Sequence, residues 1–197
     1  MTVATAGDQN VAVGTNAMDA STTSTTIVSV GYNSLGATTT GSANVAVGAN
    51  AMAATVSATN SVAIGKDAML VATAGDQNVA IGATAMDVST TSTNNVAIGF
   101  SALGATTTGS QNVAIGTNAM AATVSAANSV AIGMNAMLVA TAGDQNVAVG
   151  VVAMDASTTT TTNVAVGYNS LGATTTGSAN VAVGANAMAA TVSATNC

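Results

Sequence analysis

The sequence predicts an all-β protein, a parallel β-solenoid of eleven 17-residue coils. Three observations predict it. The tetrad Val-Ala-Val/Ile-Gly returns every 17 residues without a slip, from Gly14 and Gly31 to Gly167 and Gly184, and only Ser29 departs from its alanine. Within the tetrad, large β-branched and small residues alternate, which is the period of a strand. Seventeen residues are too few for a helix, a strand and two connections. A fixed period of this kind marks a stacked array, in which each unit buries its apolar face only against its neighbours. Residues 1–197 therefore read as a single elongated domain.

Each coil reads as strand, turn, strand, turn. The first strand opens on a valine three residues before the tetrad glycine (Val11, Val45, Val62) and closes on valine or isoleucine one residue before it (Val13, Val47, Ile64). The glycine ends the strand, and asparagine follows two residues later in most coils (Asn16, Asn33, Asn50). Gly-x-Asn is turn chemistry, because both residues tolerate positive φ. Four residues after the glycine stands Met or Leu (Met18, Leu35, Met52, Met69), which opens a second strand through Met18, Ala20 and Thr22. A turn rich in Gly, Ser, Thr and Asn closes the coil, as at Gly41-Ser42 and Gly75-Asp76. On this reading Val11, Val13, Met18, Val45, Val47, Met52, Val62, Ile64 and Met69 belong to the core ladder. With strands ~4.8 Å apart, eleven coils make a rod roughly 50 Å long.

The alternation then turns the small residue outward. Ala12, Ala46, Ala63, Ala80, Ala97, Ala114, Ala131, Ala148, Ala165 and Ala182 would form a flat apolar row on the outer face. A solvated strand face alternates to polar residues, and long exposed apolar strips mark interfaces. These alanines are the expected contact between copies of the chain.

A longer period overlies the first. Thr5-Ala-Gly-Asp-Gln-Asn10 recurs at Thr73 and Thr141, so four coils form a 68-residue unit. Met1 aligns with Met69 and Met137, and Cys197 falls where Ser61 and Ser129 stand, with no atypical capping repeat at either end. The expectation is a piece of a longer array, with Cys197 replacing serine as a chemical handle. A single cysteine excludes an intramolecular disulfide and permits a cross-linked dimer.

Composition narrows the function. Charged residues are 4% of the chain, against about 25% in typical soluble proteins. There is one lysine, Lys66, with no Arg, His or Glu, and the net charge is −6. Such a chain lacks the basic residues that nucleic acid or an anionic membrane requires. No apolar run approaches the ~20 residues of a membrane span, and no leader pattern opens the chain. Without His or Glu there is no common acid–base or zinc constellation, and nothing to activate the many Ser and Thr hydroxyls. The expectation is no enzyme, no cofactor and no metal. Asp8, Asp76 and Asp144 share one column and Asp19, Asp87 and Asp155 another, but four coils span about 19 Å, too far to share a calcium ion. The methionine column reads as core filling. Tyr32, Phe100 and Tyr168 follow tetrad glycines and are expected at an exposed turn edge, where aromatics serve as binding anchors.

Asn60-Ser-Val-Ala-Ile-Gly65 and Asn128-Ser-Val-Ala-Ile-Gly133 resemble the head repeat of the YadA-like trimeric autotransporter adhesins, and the stretch from Val166 to Gly184 resembles repeats of phage tail fibres. The likeness covers almost the whole chain, although the coil is longer than that family's and no stalk, neck or membrane anchor accompanies it. What the resemblance implies is a left-handed β-roll, three chains side by side, and a shaft or adhesive head on a cell surface or virion. The implied partners are two further copies and a host-surface receptor.

Two other readings remain. Seven and nine residues after the glycine lie Thr23, Thr38, Thr40, Thr55, Thr91, Thr106, Thr108, Thr123, Thr174 and Thr176. Both columns are expected to point outward on one face, an array that resembles the Thr-x-Thr ladders of ice-binding solenoids. Uncapped ends would also suit a self-assembling filament.

Overall fold

The computed structural model describes residues 7–197, so Met1 and Thr5 lie outside the described residues. Its strands are three residues long, from β1 (Val11–Val13) and β2 (Val28–Val30) to β10 (Val164–Val166) and β11 (Val181–Val183). They form one eleven-stranded parallel sheet in sequence order. Each strand pairs with its own equivalent one coil on, so that Val45 lies opposite Val62, Ala46 opposite Ala63 and Val47 opposite Ile64. The chain is a parallel β-solenoid, and no helix occurs among the described residues.

The tetrad glycine is where the strand must end. Gly48 has a φ of 136°, open only to glycine, and a Cβ on it would run into the carbonyl oxygen of Gly65 in the next coil. The chain then visits left-handed space twice more within four residues. Asn50 sits at φ 57° and Met52 at φ 54°, and the same two positions repeat in coil after coil. Asparagine tolerates this conformation through its short polar side chain. The methionine does so because Met52 is fully buried. Backbone strain of about 1–2 kcal/mol is offset there by about 2–3 kcal/mol of side-chain burial.

These two left-handed residues remove the expected second strand. An extended chain would have sent Met18, Ala20 and Thr22 to one side. Instead Ala17 and Met18 are both buried while Ala20 and Thr22 are exposed, because φ 54° at Met18 turns the chain and breaks the two-residue alternation. The segment still bonds coil to coil. Met52 N–H donates to Ala68 O at 3.0 Å and Ala54 N–H to Leu70 O at 2.9 Å.

The core corrects the expected assignment of faces. Met18, Met52 and Met69 lie inside as predicted, but the strand valines and isoleucines do not. Val11 is 50% exposed and Ile64 39%, whereas Ala63 is 0% exposed. Alternation separates the two sets of side chains without saying which set is inside. Volume decides. At nearly every level the interior already holds one Met or Leu, a second alanine or serine (Ala51, Ser34) and an asparagine or serine (Asn44, Ser61), Ile27 taking the place of the last at one level. The side chain that stands opposite them is small, alanine in every described coil but one and serine at Ser29. Val11, Val13, Val45, Val47, Val62 and Ile64 therefore leave the core ladder.

Departures from the columns are informative. Ser29 replaces the buried alanine and Ser34 stands in the other small column of the same coil; Ser29 Oγ donates to Ser34 O at 2.9 Å and its hydroxyl meets that of Ser34. Two polar intrusions thus satisfy each other. Val152 is not so accommodated. It occupies the left-handed asparagine position at φ 50°, between Asn135 and Asn169. A β-branched residue is strained there. Val152→Asn is expected to raise stability by about 1 kcal/mol, read as a higher denaturation midpoint; a lower midpoint would refute the strain assigned to this site.

Candidate functional site

No pocket opens anywhere in the described structure. The regular features of the rod are its outer faces and its internal ladders. The strand face is the most distinctive. Its two columns, three residues and one residue before each glycine, contain only valine and isoleucine across all eleven strands. A third column follows the glycine and carries Tyr32, Phe100 and Tyr168, exposed at 55–58% as expected, together with Met134 and Lys66. Lys66 is the single charge in these three columns, and it pairs with Asp67. Hydrogen bonds from Lys66 and Asn50 hold the Asp67 carboxyl below its usual range.

The alanines named as an interface point the other way. Ala46, Ala63, Ala80, Ala97, Ala114, Ala131, Ala148 and Ala165 are fully buried, Ala182 nearly so, and Ala12 is partly buried against the core. They fill the chain's own interior, so none is placed to meet a second copy.

The threonine array divides. Thr38, Thr55, Thr106, Thr123 and Thr174 are buried, whereas Thr23, Thr40, Thr91, Thr108 and Thr176 are exposed. The paired face expected from the sequence does not exist, because the column seven residues after the glycine turns into the interior. Inside, Thr38 Oγ1 donates to Thr55 O at 3.1 Å. The hydroxyls of Thr55, Thr106 and Thr123 find no partner. A buried polar group without a partner costs about 1–3 kcal/mol, and an apolar residue of the same shape removes that cost. Thr106→Val and Thr123→Val are each expected to raise stability by about 1 kcal/mol in chemical denaturation. A loss in both would mean that these hydroxyls are bonded after all.

Sequence reasoning passed over an internal asparagine ladder, four residues before the glycine. Asn78, Asn95 and Asn112 are fully buried in consecutive coils. Asn95 N–H donates to Asn78 Oδ1 at 2.9 Å, and Asn112 N–H to Asn95 Oδ1 at 2.9 Å. Each amide also reaches across its coil, as Asn95 Nδ2 does to Gly109 O at 2.9 Å. The signal was present as an Asn that precedes the tetrad in most coils. Ser61 and Ser129 substitute in the column, and their hydroxyls accept from Asn78 N–H and Asn146 N–H. Ile27 interrupts it.

The aspartates are built into the stack. Asp76 Oδ1 accepts from Thr59 N–H at 2.7 Å and Asp144 Oδ1 from Ala127 N–H at 2.8 Å, so each caps an amide of the preceding coil. Asp87 and Asp155 are raised above their ordinary range, chiefly by burial. Among the described residues no group of three His, Cys, Asp or Glu comes together as a metal cluster would. Among the described residues no helix is long and apolar enough to cross a membrane. No protein-family model, curated protein or solved structure matches the chain.

Proposed function

We propose that this chain is a rigid structural shaft that associates side by side with copies of itself through its outer Val/Ile face. The proposed assembly is a homotrimer and the proposed setting a surface adhesin or tail fibre, with any receptor contacted by the repetitive outer surface through many weak contacts. One observation carries the reading: an unbroken Val/Ile face, eleven strands long, stands half-buried or exposed on the outside of a fold that has filled its own core. Monomers rarely leave so large a contiguous apolar surface to water. A stable interface draws about 800 Å² from each partner, and the two Val/Ile columns run the whole length of the eleven-strand sheet.

Light scattering tests this directly, with reductant present so that Cys197 cannot cross-link. The wild-type chain is expected at the mass of three copies, and the double variant Ile98→Glu/Val113→Glu at the mass of one. Both side chains lie on the outer face of adjacent strands, β6 (Val96–Ile98) and β7 (Val113–Ile115), and circular dichroism checks that the fold survives. A wild-type mass of one chain would overturn the assembly.

A further inference from the structure

The column one residue after each tetrad glycine has a period of its own. In every second coil it carries a long side chain: Tyr32, Lys66, Phe100, Met134 and Tyr168. In the coils between it carries a short one, alanine, threonine or valine, as at Ala49, Ala83 and Thr117. The alternation holds over all eleven coils. The long side chains stand out from the rod, with Met134 49% exposed and the three aromatics more so. At ~4.8 Å per coil this is a row of knobs ~9.6 Å apart, with a hole between each two.

The backbone does not call for the alternation. Beneath long and short residues alike it makes the same bond to the next coil, Asn50 N–H donating to Tyr32 O at 2.8 Å and Asp67 N–H to Ala49 O at 2.9 Å. Nor is the column a charged one. Lys66 is its single ionic side chain, and the ammonium is already paired with Asp67.

A partner has to keep step with this pitch. An extended strand repeats on one side at ~6.6 Å and a helix at ~5.4 Å per turn, so either falls out of step within a few knobs. A second copy of this chain has the same pitch. Close packing then requires the knobs of one copy to enter the holes of the other. A parallel pair in register sets knob on knob. A parallel pair shifted by one coil fits, but its head-to-tail contact does not close. An antiparallel pair both fits and closes about a twofold axis. With that axis between β6 and β7, Tyr32 falls opposite Ala185 of the second copy, Tyr168 opposite Ala49, Met134 opposite Ala83 and Phe100 opposite Thr117. The two Phe100 rings lie one coil apart beside the axis, where an aromatic pair is favourable. An axis one strand earlier in spacing sets the tyrosines against the larger Val151 and Thr15.

We infer that this column is a knobs-into-holes contact through which a shaft meets a second copy running the opposite way. The contact lies beyond the glycine turn, outside the two Val/Ile columns, and does not depend on how many chains make one shaft. Roughly 48 Å long and one side chain wide, it offers less than the about 800 Å² per partner of a stable interface. A single contact is therefore weak, and it gains strength where shafts lie together along several such columns.

Cross-linking tests it, in a Cys197→Ser background that removes the native thiol. Chains carrying Tyr32→Cys are mixed with chains carrying Ala185→Cys at high protein concentration and treated with a short bis-maleimide. Both positions are exposed in a column that accepts small and large residues, so the fold is retained. The mixture is expected to give cross-linked pairs, and neither variant alone is. Ala83→Tyr, carried by both chains, fills a hole in mid-column and is expected to lower the yield at least fivefold. No cross-link in the mixture, equal cross-linking of Tyr32→Cys with itself, or an unchanged yield with Ala83→Tyr would each overturn the inference. The molar mass in dilute solution, which Ala83→Tyr is expected to leave unchanged, reports separately on the shaft.

Discussion

Gly99→Ala is expected to destroy the cooperative fold, at a cost of more than about 4 kcal/mol. Two penalties combine. The φ of 133° lies where side chains are strained by about 1–3 kcal/mol. The new Cβ would also meet the carbonyl oxygen of Gly116 in the next coil, and backbone at that distance cannot give way. The coils share one ladder of bonds, so forcing two of them apart at β6 and β7 breaks the stack in its middle. Gly184 provides the control. Its φ is 123°, but nothing lies within 4 Å of the added Cβ. Gly184→Ala should cost only the strain, and its melting curve should stay single and steep. If both variants melt alike, close stacking of glycine on glycine is not what the tetrad requires.

The second large effect concerns the asparagine ladder. Asn95→Ala deprives Asn112 N–H and Gly109 O of their partners in a fully buried setting. At about 1–3 kcal/mol for each orphaned group, the expected loss is about 3–4 kcal/mol in chemical denaturation. Asn95→Ser should recover roughly half of it, since serine already serves this column at Ser61 and Ser129. A loss below about 1 kcal/mol in the alanine variant would show that water replaces the amide and that the column is not sealed. The ladder explains how a chain with few charges and small side chains specifies a coil. Apolar contacts between alanines are nearly interchangeable, whereas an amide that must meet one carbonyl and one N–H admits a single register.

Much of the architecture was legible because it depends on period alone. The 17-residue offset placed every strand, and the pairing of Val45 with Val62 follows it. The Gly-x-Asn turn was legible because it depends on φ, which glycine and asparagine announce; Gly14 and Asn16 lie at 134° and 59°. The second strand was not legible. Met18 at φ 54° looks in sequence like any core residue, and only the burial of its side chain makes that conformation tolerable. The threonine columns failed for the same reason, since a face read from alternation is lost once one residue turns left-handed. Seven and nine residues after the glycine were expected to share a face; six and eight do.

The sequence by itself determined the repeat, the strand positions, the tetrad turn and the poverty of reactive groups, because these follow from spacing, backbone tolerance and composition. Which side of each strand is inside was decided only by the tertiary structure. Alternation is symmetric between two faces, and the usual preference for burying the larger side chain points to valine and isoleucine. The closed coil reverses that preference. Its cross-section holds one Met or Leu such as Met69 with a few small groups and an asparagine, and the volume left beside the strand admits Ala63 but not Val62 or Ile64. Packing density, a property of the whole coil and of no single residue, sends the larger side chains to the surface.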